Sequence, residues 1–239
     1  MLRAALDAIF PPACAACGRG AWPFCADCAA TLVGLGGAAC RRCGVPDAAE
    51  PDGCPSCPPG LDRVLAPFAY EGAARAAILR LKFSGRRSVA AALASPMASA
   101  IGDATTVLTF VPLGAARRRE RGFDQARLLA REVGRVFGVA PARLLARVRE
   151  TAPQARRGAG ERREAMRGAF AAVGEMPAAV VLVDDVCTTG ATAAACADAL
   201  RAAGCREVTL LAAARAIPRS YTRVGSASGS VVARGIAPR

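Results

Sequence analysis

The sequence predicts a small cysteine-rich module followed by an α/β domain on a mainly parallel sheet, and three observations carry the prediction. Eight of the 11 cysteines lie in the first 57 residues as four CxxC pairs. From residue 61 onward, strand and helix patterns alternate. Within that region "VVLVDDVCTTGATA" (180–193) runs from an apolar stretch through two aspartates and a Thr/Gly turn into an Ala-rich helix.

The pairs are Cys14/Cys17, Cys25/Cys28, Cys40/Cys43 and Cys54/Cys57. A CxxC knuckle aims two thiolates at one ion, and two knuckles complete a tetrahedral four-cysteine zinc site. Four knuckles therefore predict two structural zinc ions. The simplest pairing gives the first four cysteines to one ion and the last four to the other; an interleaved pairing satisfies the same spacing. The intervening segments hold Gly, Pro and Ala and few large apolar residues, so metal replaces a core. Zinc binding worth about 10–16 kcal/mol in finger peptides suffices for that. The alternatives are disulfides, which need an oxidising compartment, a redox pair, which normally occurs singly in a βαβ setting, and an iron–sulfur cluster. Removing zinc is expected to unfold the module at residues 1–60 and leave the following domain folded. Cys196 and Cys205 lack ligand spacing and are expected to pack in the core, the simpler role for Cys187 as well.

The domain is placed at 61–217. It opens with a strand in "VLAPFAY" (64–70), then a helix in "GAARAAILRLKF" (72–83) that ends at "SGRR". "ATTVLTFVPL" (104–113) is a β-branched strand, and "DQARLLAREVGRVFG" (124–138) is an amphipathic helix stopped by Gly138. A short strand around "RLLARV" leads to the Arg-rich segment 149–168, followed by "AFAAV" and "AAVVLVDDV". The helix "TAAACADALRAAG", closed by Gly204, and the strand "EVTLLAAAR" complete the domain. Residues 218–239, with "GSASGS", are expected to be a flexible tail.

"AVVLV" is apolar on both alternating faces, as in a central parallel strand, and function in such sheets gathers at the strands' carboxyl ends. Asp184 and Asp185 stand at that end. Gly190 permits a backbone conformation costly for other residues, so successive N–H groups can turn inward as an anion nest, while the helix dipole and the Thr188, Thr189 and Thr192 hydroxyls add to the attraction. The carboxylates would repel a phosphate but suit vicinal hydroxyls, and they also attract magnesium. Phosphate on one side and hydroxyls on the other describe a ribose 5-phosphate. Helix capping alone accounts for one Asp and one Thr and leaves the second acid unexplained.

No histidine occurs, which excludes His-based catalysis and His metal ligands. The chain carries 32 basic and 19 acidic residues, a net +13, and Lys82 is its sole lysine, which reads as compositional bias toward arginine. Such a charge favours polyanionic partners. Residues 112–170 hold fifteen arginines against six acids. Arg117, Arg118, Arg119 and Arg121 follow a strand end, where guanidinium forks match the oxygens of a pyrophosphate. Arg156, Arg157, Arg162 and Arg163 lie in a Gly-containing loop long enough to act as a lid. Arg127, Arg131 and Arg135, at four-residue spacing, read as a solvated helix face. No stretch has the roughly 18–20 apolar residues of a membrane helix. Asp7 breaks the N-terminal apolar run and Pro11 and Pro12 end it, so a soluble cytoplasmic protein without membrane insertion is expected.

"VVLVDDVCTTGAT" resembles the motif of type I phosphoribosyltransferases that binds 5-phosphoribosyl 1-pyrophosphate (PRPP). Together with the four knuckles, the chain to about residue 217 resembles the ComF family, a double zinc ribbon followed by a phosphoribosyltransferase domain. "LKFSGRR" (81–87), "VPLGAARRRERGFDQA" (111–126) and "TAPQARRGAGERREAMRGAF" (151–170) are similar to family stretches, with Asp124 and Ala165 where the family usually has Asn. The resemblance implies a type I phosphoribosyltransferase-like fold in which Asp184 and Asp185 bind the ribose hydroxyls. It places Cys187, Thr188, Thr189, Gly190, Ala191 and Thr192 around the 5-phosphate. Magnesium would accompany PRPP, and the acceptor of any transfer is unspecified. It also implies a link to DNA uptake in natural transformation, with incoming single-stranded DNA and uptake-machinery proteins as partners. A second expectation is therefore a single-stranded DNA-handling or partner-docking protein whose PRPP site is regulatory or relict. Aromatics are 5 % of the chain and form no stacking cluster, so DNA contacts would be to backbone and salt-dependent.

Overall fold

A computed structural model describes residues 13–35, 39–46, 53–102, 107–150 and 159–218. Of the expected tail at 218–239, all but Pro218 lies outside the described residues, as do Arg156 and Arg157 and the side chains of Arg162 and Arg163. In chain order the elements are α1 (Ala26–Ala29), β1 (Arg63–Leu65), β2 (Phe68–Ala69), α2 (Gly72–Phe83), α3 (Val89–Ile101), β3 (Val107–Phe110) and α4 (Ala115–Arg121). They continue with α5 (Gln125–Phe137), β4 (Leu145–Arg147), α6 (Ala159–Met166), β5 (Phe170–Ala172), β6 (Ala179–Cys187), α7 (Ala191–Ala202) and β7 (Glu207–Arg215).

The main sheet has the order β1-β7-β6-β3, with β2 also on β7, and every pairing in it is parallel. Position β6 follows from its sequence. Val180, Val181, Leu182 and Val183 are all buried, as a strand covered on both faces requires, and each such side chain is worth about 1.5–3 kcal/mol. The long strand expected over 64–70 divides into β1 and β2 because Pro67 between them has no N–H to give the ladder. A separate antiparallel pair, β4 with β5, brackets the Arg-rich segment.

Helix α5 begins where its chemistry predicts. Asp124 is the N-cap, its Oδ1 accepting from the Arg127 N–H at 3.1 Å, and Gly138 closes the helix in the left-handed region at φ +71°. The second oxygen of Asp124 accepts from the Leu113 N–H at 2.9 Å, which ties the loop after β3 to the start of α5. Both carboxylate oxygens accept, a pairing that an asparagine, with one acceptor oxygen, cannot reproduce. Helix α3 had no counterpart in the sequence reading. Its alanines and the internal Pro96 obscure the helical pattern, yet it buries Val89, Leu93 and Met97 in the core.

The cysteine-rich region is packed onto the α/β body. Ala69 donates its N–H to the Val33 carbonyl at 2.8 Å and Leu35 donates to the Pro67 carbonyl at 2.9 Å, so residues 33–35 cover the edge at β2. Val64 donates to the Arg42 carbonyl at 2.7 Å. Cys40, Cys43 and Val45 belong to the same core cluster as the sheet, whereas Cys14 and Ala16 form a separate small cluster with Ala73 at the start of α2.

Candidate functional site

Two four-cysteine clusters form, Cys14/Cys17/Cys25/Cys28 and Cys40/Cys43/Cys54/Cys57, the sulfurs of each lying within 4.8 Å of one another. The sequential pairing is the one adopted. A tetrahedron with Zn–S bonds of about 2.3 Å has edges of about 3.8 Å. The Sγ separations of 3.8 Å for Cys17–Cys25, 3.6 Å for Cys40–Cys57, 3.4 Å for Cys43–Cys54 and 3.9 Å for Cys54–Cys57 fit that edge and are far from a disulfide bond. The leading knuckle of each cluster has the same turn. Gly18 and Gly44, at φ +79° and +68°, donate their N–H groups to the carbonyls of Cys14 and Cys40. The donor set is closed and all-thiolate, suited to structural zinc.

At the carboxyl end of the sheet, the Thr/Gly turn and the acid pair line one cleft. One part, about 130 Å³, is bounded by Arg117, Ala165, Met166, Asp184 and residues 186–193. The other, about 310 Å³, adds Tyr70, Lys82, Arg121, Gln125, Arg147 and Asp185. Arg117, Met166, Asp184, Thr188 and Thr192 border both.

The turn has the form an anion site requires. Gly190 is the N-cap of α7 at φ +73° and, as a glycine, brings no capping side chain of its own. Thr189 Oγ1 accepts from the Ala191 N–H at 3.4 Å, while the hydroxyls of Thr188 and Thr192 have no protein partner among the described residues. A positive helix end and two open hydroxyls thus converge. A Cβ on Gly190 would come within 2.5 Å of Pro58, so glycine is required for space as well as for φ.

Asp184 and Asp185 follow at the end of β6. Burial, and then the neighbouring Asp185 charge, push the Asp184 carboxyl up to about 8. Lys82 Nζ stands 2.6 Å from Asp185 Oδ1, both side chains largely buried. The pair at neutral pH is therefore one protonated carboxyl and one carboxylate held by an ammonium, able to donate and accept toward a diol. Cys187 is buried; burial pushes its thiol up, against the pull of Arg215, so it is a packed thiol rather than a thiolate.

The structure sorts the arginines. Arg117 and Arg121 line the cleft, Arg121 also stacking over Phe83 at 5.1 Å, whereas Arg118 faces a neighbouring groove and Arg119 is on the exposed side of α4. That groove, about 460 Å³, is lined by Arg87, Arg118, Arg127, Arg131, Arg143 and Arg147 against Asp124 and Glu150. It meets the cleft at Pro112, Leu113, Asp124 and Arg147. Arg127 and Arg131, exposed on α5 as their spacing suggests, also border that groove. Arg149 donates to the Ala165 carbonyl at 3.1 Å and to that of Arg167, pinning the base of β4 to the end of α6. Lys82, Arg147 and Arg215 escaped the sequence reading. For Lys82 the available signal was its being the one lysine retained in an arginine chain.

Residues 5–58 match the family model described as the double zinc ribbon domain. The chain is 32 % identical to the DNA utilization protein YhgH of Salmonella typhimurium over 197 residues, spanning 75 % of this chain and 84 % of that protein. It is 32 % identical to the YhgH protein of Escherichia coli K12, over 76 % of this chain and 85 % of that protein. Competence protein F of Haemophilus influenzae is 28 % identical over 82 % of this chain and 86 % of its own length. Among solved structures, TT1426 of Thermus thermophilus aligns at a TM-score of 0.32 and 18 % identity, over 56 % of this chain and 85 % of that one.

Proposed function

Given that this chain belongs to the ComF family, we propose that its cleft binds PRPP and that this binding serves a role in DNA uptake and utilization. The observation that carries the reading is the pairing, across one cleft, of an uncapped Thr/Gly helix start with two adjacent acids. The 5-phosphate is assigned to residues 187–192, where the N-cap of α7 is a glycine and the Thr188 and Thr192 hydroxyls have no protein partner among the described residues. The ribose hydroxyls are assigned to Asp184 and Asp185, the protonated carboxyl donating to one hydroxyl and the carboxylate accepting from the other. Pyrophosphate then faces Arg117 and Arg121. Lys82 already occupies the cationic position beside Asp185, so magnesium enters on the phosphates of PRPP rather than on the acid pair.

In a transfer reaction the C1–O bond to pyrophosphate breaks with its electron pair leaving on the pyrophosphate oxygen, and the arginines stabilise that charge. The acceptor side has no residue assigned as base, so PRPP binding, rather than turnover, is the activity proposed. Calorimetric titration of the zinc-loaded chain with PRPP should show saturable binding that strengthens with magnesium. Heat indistinguishable from dilution in both conditions would dispose of the reading.

A second reading, single-stranded DNA handling, is favoured by the six-arginine groove that opens into the cleft. Arg87 lies over the Phe123 ring at 5.1 Å and Arg147 over Phe170 at 5.4 Å, so these aromatics hold arginines and offer bases no stacking platform. Binding along the groove would be to phosphates. Replacing Arg127 and Arg131 together by alanine is expected to reduce the salt slope of oligo-dT binding by about 1.4, at about 0.7 for each single-strand phosphate no longer neutralised. A slope equal to that of the parent protein places the strand elsewhere.

A further inference from the structure

We infer that the second cysteine cluster is the scaffold of the phosphate loop, and that Arg215 is the positioning residue that joins the two. The inference rests on the reading of residues 187–192 as that loop. The cluster touches the loop at both ends. At the exit, Pro58, which directly follows the ligand Cys57, packs so closely on Gly190 that a Cβ there would meet its ring carbons at 2.5 Å. At the entry, Arg215 donates from one terminal nitrogen to Cys187 Sγ at 3.0 Å and from the other to the Ser56 carbonyl at 3.1 Å, inside the Cys54/Cys57 knuckle. Arg215 also faces Cys187 across the β6–β7 ladder.

The charge of Arg215 explains why this contact depends on metal. The side chain is 2 % exposed, its Nε has no partner, and no carboxylate pairs with it among the described residues. A buried guanidinium with only a thiol and a carbonyl as partners is costly. A zinc ion on four thiolates bears two negative charges and supplies the missing counter-charge. The cluster is near enough for this, since Arg215 reaches the Ser56 carbonyl, between the ligands Cys54 and Cys57, at 3.1 Å.

Among the described residues the first cluster has no such connection. It sits on the start of α2 through the Arg80 donation to the Cys14 carbonyl at 2.9 Å and the Ala73 donation to Thr31 Oγ1 at 3.1 Å. It is therefore an internal control. The second cluster and Arg215 set the loop; the first does not.

The test is hydrogen exchange followed by mass spectrometry on the full zinc-loaded chain, for the parent and three variants: Cys14→Ser with Cys17→Ser, Cys40→Ser with Cys43→Ser, and Arg215→Lys. Lysine keeps the charge but its single nitrogen cannot span both Cys187 and Ser56. Peptides covering residues 186–194 are expected to exchange about tenfold faster in the second-cluster and Arg215→Lys variants, and within about twofold of the parent in the first-cluster variant. Unchanged exchange in Arg215→Lys, or equal acceleration in the first-cluster variant, overturns the inference. If the second-cluster variant loses protection throughout β6 and β7, Arg215→Lys decides. PRPP titration of the same proteins separates the two ideas: a parent that does not bind PRPP removes the ligand assignment, while the exchange result still judges the coupling.

Discussion

Replacing Asp184 and Asp185 together by asparagine is expected to weaken PRPP binding by about 30-fold or more, because losing the charged partner Asp185 costs about 1.5–3 kcal/mol and losing the neutral carboxyl of Asp184 about 0.5–1.5 kcal/mol. The fold should survive. Asp184 is a burden on the free protein: its carboxyl is held near 8, against about 3.9 in an unfolded chain, so the folded state binds the extra proton across that interval. Stability from this group therefore falls as pH rises from about 4 through about 8. The single Asp184→Asn variant lacks the fall. It should melt above the parent at pH 8, by about 2–4 °C for each kcal/mol recovered, with the difference shrinking as pH falls and closing below about pH 4. Asp185→Asn strands the Lys82 ammonium and should not share the gain. Unaltered PRPP affinity in the double variant would reduce the motif to an ordinary helix start.

Chelation of zinc is expected to destabilise the whole chain. The sequence reading put a separable module at residues 1–60, so that the α/β domain would outlast its metal. The packing points the other way. Cys40, Cys43 and Val45 lie in the sheet's own core, residues 33–35 cover the edge at β2, and Arg42 accepts from β1. Asp62, just beyond the last knuckle, accepts from the Val208 N–H at 2.7 Å and from Arg201 at 2.5 Å. A structural zinc worth about 10–16 kcal/mol rivals the entire stability of a typical domain, about 5–15 kcal/mol. Full metal removal, followed by calorimetry and near-ultraviolet dichroism, should lower the melting temperature by more than about 10 °C, at about 2–4 °C per kcal/mol. A body that melts as before would restore the separable module.

These outcomes divide along what a linear pattern can carry. Local rules were legible wherever one residue type has one geometric use. CxxC spacing identified the eight ligands, "GAARAAILRLKF" and "EVTLLAAAR" fall on α2 and β7, and Asp124 and Gly138 bound α5 as cap chemistry requires. The acid pair was legible too, because carboxylates after a doubly apolar strand have no structural need to be there.

Tertiary structure alone decided what meets what. Lys82 stands about a hundred positions from Asp185 in sequence, and no periodicity predicts their 2.6 Å contact. Arg127 and Arg131 have the spacing of a solvated face and are exposed; that Arg118, Arg143 and Arg147 border the same groove is set by tertiary packing. Arg215 ends an apolar strand and gave no sign of joining a cysteine knuckle to the Thr/Gly turn. Spacing along the chain determines secondary structure and the CxxC ligand pairs because those depend on neighbours a few residues apart. Charge pairing and loop support depend on the docking of distant elements, which the parallel sheet imposes only once it has formed.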